Sequence, residues 1–195
     1  MFRIYLAAVD MIPAAVVLIP LFGLLYITKF RYNLRKTIGY FLFCMYFSAV
    51  YSLVGIPNIL YIRPELNLNI IPFMGMISDF KNSVLNVMLF VPLGFLLPVL
   101  WTRFAKMKSC IVFGFAVSLA IELLQMLTFR TTDVNDLITN VCGTLLGYIL
   151  ARPVIKKFSI NNLAVYDPLV LCAVSFAIMF FVHPILSPLI WDNIL

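Results

Sequence analysis

SCIVFGFAVSLAIELLQMLTFRTTDVNDLITNVCGTLLGYILARPVI, residues Ser109 to Ile155, sets two apolar blocks on either side of a short acidic loop. The blocks, near Ser109–Leu127 and Leu137–Ile155, are each long enough to cross a hydrocarbon core about 30 Å thick. A soluble helix of that length keeps one polar face. These blocks do not. Working outward, four further runs have the same character, near Val9–Thr28, Ile38–Leu60, Val84–Trp101 and Leu169–Ile190. Backbone groups in hydrocarbon must be bonded internally, so runs of this kind are helices. The ten-residue alternation of a transmembrane β-barrel is absent.

Composition agrees. The chain has 195 residues, 64% hydrophobic and 11% charged, with a mean hydropathy of +1.07. A soluble domain is about a quarter charged, so too few charges exist here to cover a water-facing surface. The reading is an all-α, polytopic transmembrane helical bundle of about six spans, forming a single membrane domain over residues 1–195. Pro168, Pro184 and Pro188 are expected to kink the sixth span or make it partly re-entrant. The amino-terminal run reads as a retained anchor, because Asp10 interrupts it and its apolar stretch exceeds a signal-peptide core.

The net charge of +6 does not point to nucleic acid, since no basic stripe interleaves with aromatics. Ten of the 14 basic residues instead follow the first, third and fifth spans. These are Lys29, Arg31, Arg35 and Lys36, then Arg103, Lys106 and Lys108, then Arg152, Lys156 and Lys157. The positive-inside rule places them in the cytoplasm and both termini outside. Asp10, Glu65, Asp79, Asp133, Asp136 and Asp192 then fall on the outer side. Cys44, Cys110, Cys142 and Cys172 lack metal or redox spacing and read as small buried hydrophobes. His183, beside Pro184, reads as structural.

An ionisable side chain within a span costs about 2.5–3.5 kcal/mol at its centre and is a functional hypothesis by default. Glu122 is such a residue. Gln125 follows on the same helix face, and the loop beyond carries Arg130, Asp133 and Asp136, with Asn140 further on. Asp133, Asp136 and Asn140 are spaced to share one face of a helix start. Asn86 enters early in the third span, where Pro92 and Gly94 allow bending and close approach. The preceding LNLNIIPFMG stretch, with Asn69 and Pro72, reads as an interfacial or re-entrant loop. Asn69, Asn86, Glu122, Gln125, Arg130, Asp133, Asp136 and Asn140 thus share one predicted depth. Interhelical glue explains each singly; their convergence favours a site. No zinc-protease, serine-hydrolase or Walker-type motif occurs, and no cofactor or metal is expected.

Three blocks, Asn69–Phe73 (NIIPF), Asn86–Pro98 (NVMLFVPLGFLLP) and Ser118–Tyr148, occur in the order and spacing of one family's signature. Over roughly residues 67–150 the chain resembles the VanZ-like family. The polar signature of that family falls on Asn86, Glu122, Gln125, Arg130, Asp133, Asp136 and Asn140, with Pro92, Gly94, Gly143 and Gly147 as helix-shaping positions. The resemblance implies a multi-pass protein of the bacterial cytoplasmic membrane, whose namesake contributes to resistance against the glycopeptide antibiotic teicoplanin. It supplies no reaction. The expected ligand is a membrane lipid, a lipid-linked cell-wall precursor or a lipoglycopeptide, held by Asn69, Asn86, Gln125, Arg130 and Asn140. Two other classes stay open. One is an envelope hydrolase or transferase with Glu122, Asp133 and Asp136 as its acids, the aspartates binding a divalent cation or serving as the second carboxylate. The other is a structural subunit of a membrane complex.

Overall fold

A computed structural model describes residues 2–64, 67–74, 76, 79–128, 130–158 and 167–192; Glu65, expected on the outer side, lies outside the described residues. The helices are α1 (Phe2–Thr28), α2 (Leu34–Val54), α3 (Phe80–Leu100), α4 (Met107–Gln125), α5 (Val134–Phe158), α6 (Asp167–Ala177) and α7 (His183–Trp191). Two short strands, β1 (Leu68–Asn69) and β2 (Thr132–Asp133), pair in parallel. Among the described residues, six helical segments are long and apolar enough to cross a membrane. The fold is all-α and polytopic, as the sequence indicates.

The expected boundaries shift for local reasons. The second span starts at Leu34, because the Asn33 side chain caps the Lys36 N–H at 3.1 Å. It ends at Val54 rather than Leu60. Gly55 takes a left-handed φ of 65° and returns its N–H to Tyr51 and Ser52, the usual glycine stop. The sixth span is one continuous helix, not a re-entrant hairpin. Five residues of π-helix, Ile178–Val182, join α6 to α7. Pro184 has no N–H for the Phe180 carbonyl four residues back. That carbonyl accepts the Ile59 N–H at 3.1 Å instead, so the proline is absorbed without breaking the helix. All four cysteines are free; Cys44 and Cys110 are buried, but Cys142 is exposed and departs from the buried reading.

The chain divides into two compact units, Met1–Ile62 with Tyr166–Leu195, and Arg63–Val165. In the first, α2 packs through aromatic rings, with Phe43, Phe47, Tyr51 and Phe176 in successive contact at centroid distances of 4.9, 5.7 and 6.0 Å. Polar bonds tie α2 to α6: Ser175 donates to the Cys44 carbonyl and Tyr51 to the Cys172 carbonyl, while the Tyr40 hydroxyl bonds Asp167. His183 pairs with Asp10: its Nε2 lies 3.3 Å from Asp10 Oδ1, and Ser52 donates to the other Asp10 oxygen at 2.5 Å.

The second unit is built differently. A Cβ on Gly143 or Gly147 would collide with the carbonyls of Val87 and Val91, and one on Gly94 with the carbonyl of Thr144. The two pairings advance by four residues in the same direction, so α3 and α5 run parallel with backbones touching. Such approach is open only to small residues. Pro98 releases the Gly94 carbonyl, which takes the Cys110 thiol at 3.7 Å.

Candidate functional site

Along α4, Gly114, Ser118 and Glu122 repeat every four residues and so form one stripe. Antiparallel α5, with Asp133 just before it, meets it rung by rung. Thr144 fills the space left by Gly114, the Asn140 amide donates to the Ser118 hydroxyl at 2.9 Å, and the Glu122 carboxylate accepts the Asp133 backbone N–H at 3.0 Å. The stripe therefore passes from close packing to hydrogen bonding to a carboxylate as it nears the loop.

Glu122 is 4% exposed, a setting that requires its charge or hydroxyl to be bonded. Its backbone carbonyl also takes the Thr132 hydroxyl, at 3.2 Å. One residue thus fastens β2 from two directions. Asp133 then acts as a hub. Besides its N–H on Glu122, one carboxylate oxygen accepts the Asn135 N–H at 2.8 Å, and the other accepts the Asn69 amide at 3.1 Å. The bond to Asn135 caps the first turn of α5, where an acidic side chain also favours the helix dipole. Asp133 accordingly stands before the helix rather than on its face.

The NIIPF stretch is drawn in by the same turn. Leu68 and Asn69 pair with Thr132 and Asp133, and the Asn67 carbonyl takes the Thr132 N–H at 2.9 Å. Asn135 clamps the far end: its oxygen accepts the Phe73 N–H at 2.6 Å and its amide donates to the Met74 carbonyl at 2.9 Å. Phe73 is held at a φ of 66°, which a bulky residue adopts only under such constraint. Ile70, Ile71, Phe73 and Met74 are all exposed, so an apolar loop is presented by a rigid polar base.

A second pair flanks the hub. Asn86 on α3 is a hydrogen-bonding partner of the Asp136 carboxylate on α5, and Arg130 lies within Coulombic range of both Asp136 and Glu122. Asp133 and Asp79 also face Asp136 electrostatically. Carboxylates outnumber the guanidinium.

Of the eight residues singled out from the sequence, Asn69, Glu122 and Asp133 form one hydrogen-bonded chain. Asn86 and Asp136 form a second pair, with Arg130 in range of both groups. Gln125 is buried at the end of α4. Asn140 sits a turn deeper on Ser118, and among the described residues its buried Oδ1 has no hydrogen-bond partner. The same residues yield no group of three or more His, Cys, Asp or Glu able to hold a metal. Sequence reasoning missed Asn135, Ser118 and Thr144. The four-residue spacing of Gly114, Ser118 and Glu122 was the available signal for the last two. Asn135 gave none, because its partners are backbone atoms of a distant loop.

The chain is 28% identical over 117 residues to Protein VanZ of Enterococcus faecium, a match covering 60% of this chain and 65% of that protein, a little under two thirds of its length. No solved structure matches. The VanZ/LLP1 family profile matches residues 37–157, well over half of the chain. It begins in the second span, which the shorter run of motifs at residues 67–150 leaves out. The chain therefore belongs to the VanZ/LLP1 family.

Proposed function

We propose that this protein acts in the bacterial cytoplasmic membrane, with both termini outside, and contributes to protection against teicoplanin-type glycopeptides. Its polar cluster binds the head group of a cell-envelope lipid, a lipid-linked precursor or the lipidated antibiotic at the outer leaflet. The observation that carries this reading is the division of labour around Asp133. Glu122, Asp133 and Asn135 hold the turn, and the Asn86–Asp136 pair lies beside it with Arg130 in Coulombic range. Preorganised polar groups next to an exposed apolar loop suit a ligand with a polar head and an acyl tail. The acidic excess favours a head group rich in hydroxyl, amide or ammonium donors over a strongly anionic one. The unpartnered Asn140 oxygen offers a further acceptor within the same unit. An enzymatic reading has less support, because both Asp133 carboxylate oxygens already hold structural bonds.

The test replaces residues of the second pair, which takes no part in the bonds joining Glu122, Asp133 and Asn135. Asp136→Asn and Asn86→Ala, compared at equal membrane abundance, are expected to lower teicoplanin protection by at least about fivefold, the effect of roughly 1 kcal/mol of lost head-group bonding. Full protection in both variants removes this function.

A further inference from the structure

We propose a second binding site, for an anionic phospholipid, in the unit formed by Met1–Ile62 and Tyr166–Leu195. Between α1 and α2 runs a groove of about 310 Å³ lined by Ile19, Phe22, Gly23, Tyr26, Ile38 and Phe41, among others. Its walls are apolar, and Ile19, Leu34 and Ile38 among them are exposed. At Gly23 nothing lies within 4 Å of where a Cβ would stand, so the groove is open there. In a spanning helix pair, an open apolar channel of this kind is filled by an acyl chain.

The loop at its end supplies a head-group partner. Tyr26 and Leu34 line the groove where α1 and α2 approach this loop, and Lys29, Arg31 and Arg35, in and just after the loop, are exposed. The loop is held rigid. Phe30 and Tyr32 return their N–H groups to Leu25 and Tyr26 at 2.8 and 3.0 Å, Arg31 and Tyr32 take φ values of 49° and 63°, and Asn33 caps α2. Lys36 is not available to a ligand in the same way, since its ammonium sits 5.0 and 5.4 Å from the centroids of Phe30 and Tyr40. An apolar groove adjoining a loop with three exposed cations, and with no acidic residue in sequence between Lys29 and Phe41, is complementary to a phosphate head group joined to an acyl tail. Basic pockets at span ends hold anionic lipids by this combination. The site shares no residue with the polar cluster, so its fate is independent of that reading.

The protein is purified with dioleoylphosphatidylglycerol or dioleoylphosphatidylcholine in mixed micelles, and retained lipid is counted by native mass spectrometry. One phosphatidylglycerol is expected to be retained over phosphatidylcholine by roughly 25-fold, about fivefold for each of two cations engaged. Lys29→Gln with Arg35→Gln should bring phosphatidylglycerol down to the phosphatidylcholine level and leave the latter unchanged. Gly23→Leu should abolish retention of both, and Ile38→Trp blocks the groove from the other wall should the first variant not fold. Equal retention of the two lipids by the unmodified protein overturns the proposal, as does full retention in the groove variants. A lipid-free dimer that Ile38→Trp dissociates assigns the groove to a second copy and overturns it too.

Discussion

The two units solve the problem of helix association in opposite ways. In Arg63–Val165, α3 and α5 meet backbone to backbone, and no Cβ fits at Gly94, Gly143 or Gly147. In Met1–Ile62 with Tyr166–Leu195, aromatic rings fill the contacts and Gly23 has open space around it. Lipid tails are as apolar as leucine, so burial alone does not drive helices together in a membrane; packing and polar bonds do. The first solution gives a rigid frame with few tolerated changes, and it is the one that carries the Glu122–Asp133 hub. The second leaves grooves.

The largest effect should come from adding bulk to the frame. Gly147→Leu is expected to cost about 3 kcal/mol or more, the upper range for overpacking, because the Val91 carbonyl in its way is backbone and cannot rotate aside. Size-exclusion profiles and thermal melts in detergent measure this. The same substitution at Gly23 should stay within about 0.5 kcal/mol. If both variants melt alike, the contrast between the units is wrong.

The hub comes next. Glu122→Ala leaves the partly buried Asp133 N–H without its acceptor, which costs about 1–3 kcal/mol. Glu122→Gln keeps an oxygen in place and should lose less than about 1 kcal/mol. Equal melting of the two would mean that the acceptor does not hold the turn. Asn135→Ala ranks third, at about 1–2 kcal/mol for its two bonds to Phe73 and Met74. Its sharper readout is limited proteolysis, with new cleavage expected in the 70–74 segment and none elsewhere.

Much of this architecture could be read from residue patterns. Apolar run length gave all six spans, because hydrocarbon thickness imposes it. The cluster was partly legible too. Charge inside a span marked Glu122, and helical spacing tied Gln125 to it, but spacing could not say that Glu122 would bond a backbone N–H rather than another side chain. Asn135 was invisible for the same reason: a clamp on backbone atoms leaves no signature in the partner's residue type. The sixth span was found, but not how it copes with its prolines, because the compensating donor, the Ile59 N–H, lies more than a hundred residues away in sequence.

The smallest expected effect concerns the other embedded carboxylate. Asp10 resembles Glu122 in being an acid within a span, yet its partners are the side chains of Ser52 and His183, and it is 30% exposed on the side chain. Side-chain partners can relax or be replaced by one another, whereas a backbone N–H at a fixed turn cannot. A double-mutant cycle of Asp10→Asn and His183→Ala should therefore report a coupling of about 0.6 kcal/mol, typical of polar pairs between spanning helices. Melting of the four proteins in one detergent measures it. A coupling above about 2 kcal/mol, beyond what such pairs usually reach, would make Asp10 as rigidly held as Glu122. The first unit would then have a polar hub of its own, and packing style alone would no longer distinguish the two.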